Sequence, residues 1–481
     1  MTAVIVSILL RLYLFTNIYQ QSFYEFKNVL RFYYKHAILL FISFILFLIN
    51  FFLNNIFVTV LGYIVVIFEC RYFLTRLIKP LSITKRVLRL WITTSILAIP
   101  FFIFNLTFLC NFLVLFFIYI SNVINKPVEY LINKRYIKKA KDKYNASLGI
   151  KIGITGSYGK TSVKNYLSEM LKNKYLVLST PKSYNTPLGI SRFLNASNLE
   201  MIDYLILEFG ARKVGDIKEL GNIFPIDIAV ITEIGIMHID TFLSLENIIN
   251  EKMSILNSLS LEGFAILNYE NEYIRSYETT CKKYTYGFNY GDFLAKNISL
   301  SIYSTQFDLV YKDNVVKNIK LDLLGRQSIL NIMPSIIMSY LLDIPLRNIT
   351  NVKSVVNRLS LRKMGNYFIL DDGYNSNILG ATYALEVLKT HSGKKYIITP
   401  GFVEMNKEKE LLVSLFSKEI NNSCDVCILV KNEFTNLLGK YLSESIEVFY
   451  VNSFDEGFEL FIANKPYNSI LLIENDLPDA Y

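Results

Sequence analysis

Histidine and cysteine are scarce in this chain, three and five in 481 residues. Cys70 and Cys110 lie in apolar stretches, Cys281 stands alone, and Cys424-x-x-Cys427 runs directly into the apolar segment Cys427-Ile-Leu-Val430. With no second pair and no histidine beside them, they make neither a disulfide framework nor a zinc site, and core packing of reduced thiols is the reading. Acidic residues are almost missing from residues 1–145, which hold 4 Asp+Glu against 17 Lys+Arg. The remainder holds 37 Asp+Glu against 33 Lys+Arg. The pI near 9.0 therefore belongs to the N-terminal third, and no nucleic-acid partner is expected. Met1–Gln20 lacks a basic leader and a cleavage site, which excludes a signal peptide and leaves a first membrane helix.

What is abundant is apolar. Hydrophobic residues make up 52%, including 33 Tyr and 35 Phe. Ala37–Leu53, Ile56–Phe68, Leu90–Phe104 and Leu106–Ile120 are apolar runs, each shorter than the roughly 20 residues of a spanning helix. Lys27, Arg31 and Lys35, then Arg71, Arg76, Lys79, Lys85, Arg86 and Arg89, then Lys134, Arg135, Lys138, Lys139, Lys141 and Lys143 lie between and after them. By the positive-inside rule all three basic groups face the cytoplasm, and each apolar pair goes out and returns. The expectation is a multi-pass helical membrane domain over 1–121, in a bacterial plasma membrane. A basic joint follows over 122–145. Its Val128, Leu131, Ile132 and Ile137 alternate with lysines, so it reads either as a helix lying on anionic headgroups or as a solvated linker helix.

From residue 146 the pattern changes to strands alternating with helices. The sharpest feature is Gly153-Ile-Thr-Gly-Ser-Tyr-Gly-Lys-Thr-Ser162, between the strand segment Leu148–Ile154 and the helical segment Ser162–Leu171. Gly156 and Gly159 allow a turn whose amides point at an anion at a helix N-terminus. Ser157, Tyr158 and Ser162 complete the cradle, Lys160 reaches the β- and γ-phosphates of a nucleotide, and Thr161 holds Mg²⁺. Ile154 stands where the strict P-loop pattern has its first glycine.

Tyr175–Ser179, Tyr204–Glu208, Ile226–Ile231, Ala265–Asn268 and Tyr284–Phe288 read as further strands, which predicts a largely parallel sheet with its ligand beyond the strand ends. Glu208 and His238 sit just past such ends, where a carboxylate and an imidazole are placed to hold a metal. Asn297–Leu323 reads as antiparallel strands turning at Asp313-Asn314, and a helix starts near Gly325. Tyr367–Leu370, Tyr396–Thr399, Cys427–Val430 and Ile470–Ile473 are the strands of a second α/β unit. The domains are thus an ATPase-like unit over 146–343 and a Rossmann-like unit over 344–481.

These motifs, in this order, resemble the Mur ligases, ATP-dependent amide-forming enzymes of bacterial cell-wall synthesis. The resemblance covers about 147–481. It rests on Thr155-Gly-Ser-Tyr-Gly-Lys-Thr-Ser-Val-Lys164, Glu208-Phe-Gly-Ala-Arg-Lys-Val-Gly-Asp-Ile217, Thr232-Glu-Ile-Gly-Ile-Met-His238, Glu251-Lys252 and Asp371-Asp-Gly-Tyr-Asn-Ser-Asn377. The last is similar to the signature of the branch that adds D-alanyl-D-alanine to UDP-N-acetylmuramoyl-tripeptide. The resemblance implies ATP and Mg²⁺, with those two molecules as substrates. It implies Thr161, Glu208 and His238 at metals, and Lys252 as a carbamylated lysine. It implies Asn331, Arg362, Asp371 and Asp372 on the nucleotide, and Asn185, Thr186, Tyr374, Asn375 and Asn377 toward substrate. Contacts with other cell-wall enzymes at the membrane are a further implication.

Gln327-Ser328 stands where the family has His-Asn, and Ile378 replaces the proline after the signature. The family's soluble uridine-binding domain gives way to the apolar N-terminal third. A tethered relative with another acceptor, such as a polyglutamate synthase or a modifier of lipid-linked muropeptide, is the alternative enzyme. A membrane ATPase switch finds no second Walker-type acid pair and no ABC-like signature.

Overall fold

The computed structural model describes residues 2–22, 24–34, 45, 49, 56–75, 80–104, 106–181, 184–237, 239–348, 352, 358–373, 377–402, 409–464 and 467–475. The chain divides into two compact units, Met1–Arg135 and Tyr136–Tyr481.

The first unit is helical: α1 (Thr2–Gln21), α2 (Phe26–Tyr34), α3 (Ile56–Leu74), α4 (Lys85–Ile103) and the first part of α5 (Thr107–Ala146). Leu14, Ile18 and Tyr19 pack with Val66, Phe73, Leu90, Val114 and Ile118. The outer faces are apolar as well, with Phe57 81% exposed and Ile64, Ile67, Phe68, Ile92 and Ile96 exposed. An apolar surface on both sides of a helix suits lipid better than water. Among the described residues, one helix, Lys85–Ile103, is long and apolar enough to cross a membrane. The expected run Ala37–Leu53 lies outside the described residues except for Ile45 and Ile49.

The other apolar runs extend into longer helices than their apolar limits suggest, because flanking charges are satisfied internally. Arg11 donates to Glu69 across 2.7 Å with both side chains buried, and Arg89 pairs with Glu129 at 2.7 Å. Charge therefore does not end these helices, and α5 passes through the expected boundary at 121/122 without a break.

In the second unit, nine described strands form one sheet: β1 (Ile150–Thr155), β2 (Val177–Ser179), β3 (Tyr204–Glu208), β4 (Ile226–Ile231), β5 (Leu259–Asn268), β6 (Lys282–Gly287), β7 (Phe293–Leu300), β8 (Thr305–Tyr311) and β9 (Asn314–Leu321). Their order is β2-β3-β1-β4-β5-β6-β7-β8-β9, parallel as far as β7 and antiparallel beyond. The sheet is thus mixed, and the turn expected at Asp313-Asn314 falls at Lys312-Asp313, with Asn314 opening β9 opposite Tyr311. The central strands carry apolar residues on both faces, so both faces must be covered. On one face lie α6 (Lys160–Leu171) and, later in the chain, the helix Gly325–Leu341, through Val163, Leu167, Met333 and Ile337. On the other lie α7 (Pro187–Ala196), α8 (Asp216–Ile223), α9 (Leu245–Met253) and the end of α5, through Leu194, Leu220, Ile248 and Tyr144.

A second sheet follows the helix Gly325–Leu341, which is α10. Its described strands are β10 (Ser360–Met364), β11 (Tyr367–Asp372), β12 (Lys395–Thr399), β13 (Val426–Val430), β14 (Glu447–Val451) and β15 (Ser469–Glu474). They are ordered β10-β11-β15-β12-β13-β14. Only the β10–β11 pair is antiparallel. The edge strand β10 escapes the sequence pattern because it carries Arg362 and Lys363, charged residues of the kind that blunt edges, and the short edge strand β14 was also not expected.

The two sheets are joined where α10 meets α11 (Ile378–Lys389). Arg326 pairs with Glu386 at 3.2 Å. At Gly325, with φ +78°, an added Cβ would lie 2.9 Å from Leu359 Cδ2 and 3.2 Å from Val387 Cγ2. Glycine there lets the second domain close onto the first.

Helix α8 begins at Gly215, which has no capping side chain of its own. Glu251 of α9 supplies the cap. Its carboxylate accepts from the Gly215 amide at 2.7 Å and the Ile217 amide at 2.6 Å. Glu251→Ala leaves the buried Ile217 amide unmet, at a cost of about 1–3 kcal/mol. A lower urea midpoint by circular dichroism and faster exchange of the Ile217 amide are the expected readings, with Glu251→Gln recovering part of both.

Candidate functional site

The nucleotide loop is the turn between β1 and α6. Ile154 is fully buried in β1, paired between Glu208 and Val230, so the loop opens at Gly156 and has no use for a glycine at 154. Gly156 has φ +149°, and a Cβ there would lie 2.1 Å from Thr232 Oγ1. Gly159, at φ +80°, would meet Asn331 Oδ1 at 2.4 Å.

The segment after β4 stitches the loop down. Ser157 N–H donates to Glu233 O at 2.6 Å and Ser157 Oγ to Gly235 O at 2.9 Å. Thr232 Oγ1 donates to Tyr158 O at 2.5 Å, and the Tyr158 hydroxyl to Ile236 O at 2.6 Å. Lys160 Nζ folds onto the carbonyls of Gly156 (2.6 Å) and Ser157 (2.9 Å). Burial lowers its ammonium to about 8, opposed by Glu208 and assisted by the like charge of Arg358.

Glu208 ends β3 beside this loop. Its Oε2 accepts from Thr161 Oγ1 at 3.1 Å and Lys164 Nζ at 3.0 Å, and its Oε1 from Asn185 Nδ2 at 3.2 Å. A hydroxyl and a carboxylate held together at a phosphate loop are hard oxygen donors. They fit Mg²⁺, which takes one or two protein oxygens and completes its shell with water and substrate phosphates. His238 lies outside the described residues.

A cavity of about 300 Å³ opens over the loop and reaches the second domain. It brings together Ser157, Tyr158, Gly159, Lys160, Thr161, Ser162, Asn185, Glu208, Asn331, Asp372 and Asn377. Asn377 also caps α11, accepting from the Gly380 amide at 2.9 Å. Gly156 lies behind the loop, where its carbonyl holds Lys160.

Arg362 and Asp371 do not line the cavity. They pair with each other on the β10–β11 hairpin, and the Arg362 side chain is 53% exposed. Thr186 is also absent from the lining and caps α7, accepting from the Gly189 amide. Tyr374 and Asn375 lie outside the described residues.

Arg358, Tyr166 and Tyr383 line the cavity without having been marked by any motif, and Gln327, Ser328 and Met237, which lie within the segments noted from sequence, line it too. Arg358 precedes β10 instead of lying within it. Arg362 lies inside the β10–β11 hairpin, whereas Arg358, two residues before β10, is left in the cavity lining.

Two buried titratable groups flank the loop. Lys252 of α9 is buried with Nζ 5.8 Å from the Phe242 ring centre. Burial and the like charge of Lys160 lower it to about 7, against Glu251 and Asp216, which raise it. Glu233 accepts from Asn268 Nδ2 at 2.8 Å and Asn271 Nδ2 at 2.5 Å. Burial raises it from 4.5 to about 7; the two amide bonds oppose this and nearby Glu270 adds to it.

A carboxyl with a raised native pKa stabilises fully below its unfolded value and loses that contribution as pH climbs through the native one. Wild type should therefore lose roughly 3 kcal/mol between pH 4.5 and 7 through Glu233. Glu233→Gln should flatten that part of the melting-temperature profile, and an unchanged slope would remove Glu233 as its source.

The geometry is that of a P-loop α/β domain with a second α/β domain closing over the nucleotide site. Residues 154–339 match the Mur ligase middle domain. The match spans the first α/β domain, the one that carries the loop after β1.

Among proteins it resembles, UDP-N-acetylmuramoyl-tripeptide–D-alanyl-D-alanine ligase of Buchnera aphidicola (Acyrthosiphon pisum strain) is 29% identical over 56% of this chain and 62% of that one. The same enzyme of the Baizongia pistaciae strain is 30% identical over 59% and 62%. The chain spans less than two thirds of the length of these relatives. The crystal structure of MurF ligase from Thermotoga maritima with ADP superposes with a TM-score of 0.65 at 23% identity, over 72% of this chain and 80% of that one. That likeness is one of fold.

Proposed function

We propose that the chain is an ATP-dependent, ADP-forming ligase that adds D-alanyl-D-alanine to UDP-N-acetylmuramoyl-tripeptide. The observation that carries this reading is the cavity itself. Lys160, Thr161 and Glu208 from the first sheet share it with Arg358, Asp372 and Asn377 from the second.

A carboxylate is a poor acyl donor until its oxygen is made a leaving group. Transfer of the γ-phosphoryl of ATP to that oxygen makes an acyl phosphate. The amine of the dipeptide attacks its carbonyl, and phosphate departs with the former carboxylate oxygen. Thr161 and Glu208 would hold Mg²⁺, which when bound would neutralise charge at the phosphates. Lys160 exchanges its two loop carbonyls for phosphate oxygens, and the loop amides carry charge built up in transfer. Arg358 and Asp372 complete the site from the closing domain, which keeps water from the acyl phosphate. Lys252, with its amine lowered to about 7, has the unprotonated lone pair that attack on CO₂ requires, in keeping with a carbamate there.

The reading extends to the N-terminal unit, whose exposed apolar helix faces and excess of lysines and arginines support a membrane anchor with the ligase in the cytoplasm. The anchor would leave the amide chemistry to Tyr136–Tyr481.

Purified full-length protein given ATP, the tripeptide nucleotide and D-alanyl-D-alanine should yield the pentapeptide by mass, with one ADP per product. Lys160→Ala should lower turnover on the order of 1,000-fold while melting like wild type. Equal turnover by that variant would sink the site assignment.

The anchor is tested separately by alkaline carbonate washing of membranes. The protein should stay in the pellet, and release into the supernatant would refute insertion.

A further inference from the structure

Lys164 lies one turn into α6, on the same face as Thr161, and is 1% exposed. Its Nζ sits 3.0 Å from Oε2 of Glu208, itself 2% exposed. That oxygen also accepts from Thr161 Oγ1, while Asn185 serves Oε1. A carboxylate this deeply buried is costly unless an opposite charge compensates it. Lys160 turns away to the carbonyls of Gly156 and Ser157. Among the described residues, Lys164 is the cation ion-paired with Glu208, and the mechanism assigns it no role toward substrate.

We propose that Lys164 is a positioning residue, a built-in counter-cation that balances and aims Glu208 and thereby sets how tightly the divalent metal is held. This rests on the metal-site reading above. A metal arriving at Glu208 shares one carboxylate with a fixed ammonium, and the two cations repel at short range in a poorly screened interior. The lysine therefore keeps the site assembled without metal and weakens the metal once bound. The second effect favours release of the metal with ADP. Removing the charge while keeping the volume reverses both: the metal-free site loses its compensation, and the metal binds more tightly.

The test uses the full-length protein with Mn²⁺ as a spin probe for the metal, without nucleotide. Lys164→Met removes charge and donor, Lys164→Gln keeps a donor, and Glu208→Gln is the control for the site. Both Lys164 variants should bind Mn²⁺ at least about tenfold more tightly than wild type. They should melt lower in chelator and regain most of the loss in saturating Mg²⁺, whereas wild type should respond little to Mg²⁺. Mn²⁺ titrations that superimpose on wild type, or an equal melting deficit with and without Mg²⁺, overturn the proposal. So does a variant that stays unfolded in saturating metal, since the lysine would then be needed for packing. Failure of the metal-site reading looks different: Glu208→Gln would bind Mn²⁺ as wild type does.

Discussion

The close approach of the Gly156 backbone to Thr232 is the constraint on which the site depends. It brings the turn after β1 against the segment after β4, so that Ser157 and Tyr158 are pinned to Glu233, Gly235 and Ile236. A loop held at so many points presents its amides in one arrangement, and an anion meets a site already formed. The same pinning explains the placement of Glu233, whose backbone oxygen holds the loop while its carboxylate is buried between Asn268 and Asn271.

Closure between the sheets depends on another glycine. Gly325 lets Leu359 and Val387 come within reach of the start of α10, and Asn331 follows on that helix beside Gly159. The junction thus aligns the loop, Asn331 and the end of β11 at once. Asp372 and Asn377 lie at that strand end and at the start of α11, where open α/β sheets receive ligands. A shift of the second domain would change the cavity while leaving each sheet intact.

The N-terminal unit follows different physics. Its helices bury Arg11 with Glu69 and still expose Phe57, Ile64 and Ile92 outward. The outward apolar side chains accompany an inner cluster of Leu14, Ile18, Val66 and Val114. Arg11 and Glu69 partner each other, and Thr94 donates to Ser121 at 3.0 Å.

Much of the second unit was legible in its sequence. Local rules suffice for the strand–turn–helix at Gly153–Ser162, the parallel strands ending at Glu208 and Ile231, and the turn before Asn314, because glycine, helix N-termini and β-branched runs act through neighbouring residues. The site residues drawn from that loop and from Glu208, Asn185 and Asn331 do converge on one cavity. Tertiary structure alone decided the rest. Arg358, not Arg362, reaches the nucleotide cavity, because a hairpin pairs Arg362 with Asp371. Thr186 became a helix cap, and Arg89 found Glu129 as its ion-pair partner. Lys164, a motif residue to the eye, became the partner of Glu208 only when β3 came to lie beside α6. Short-range conformational preference writes the loops and strands into the sequence. Which charged groups meet depends on contacts between residues far apart in the chain, and those exist only after the sheets have packed.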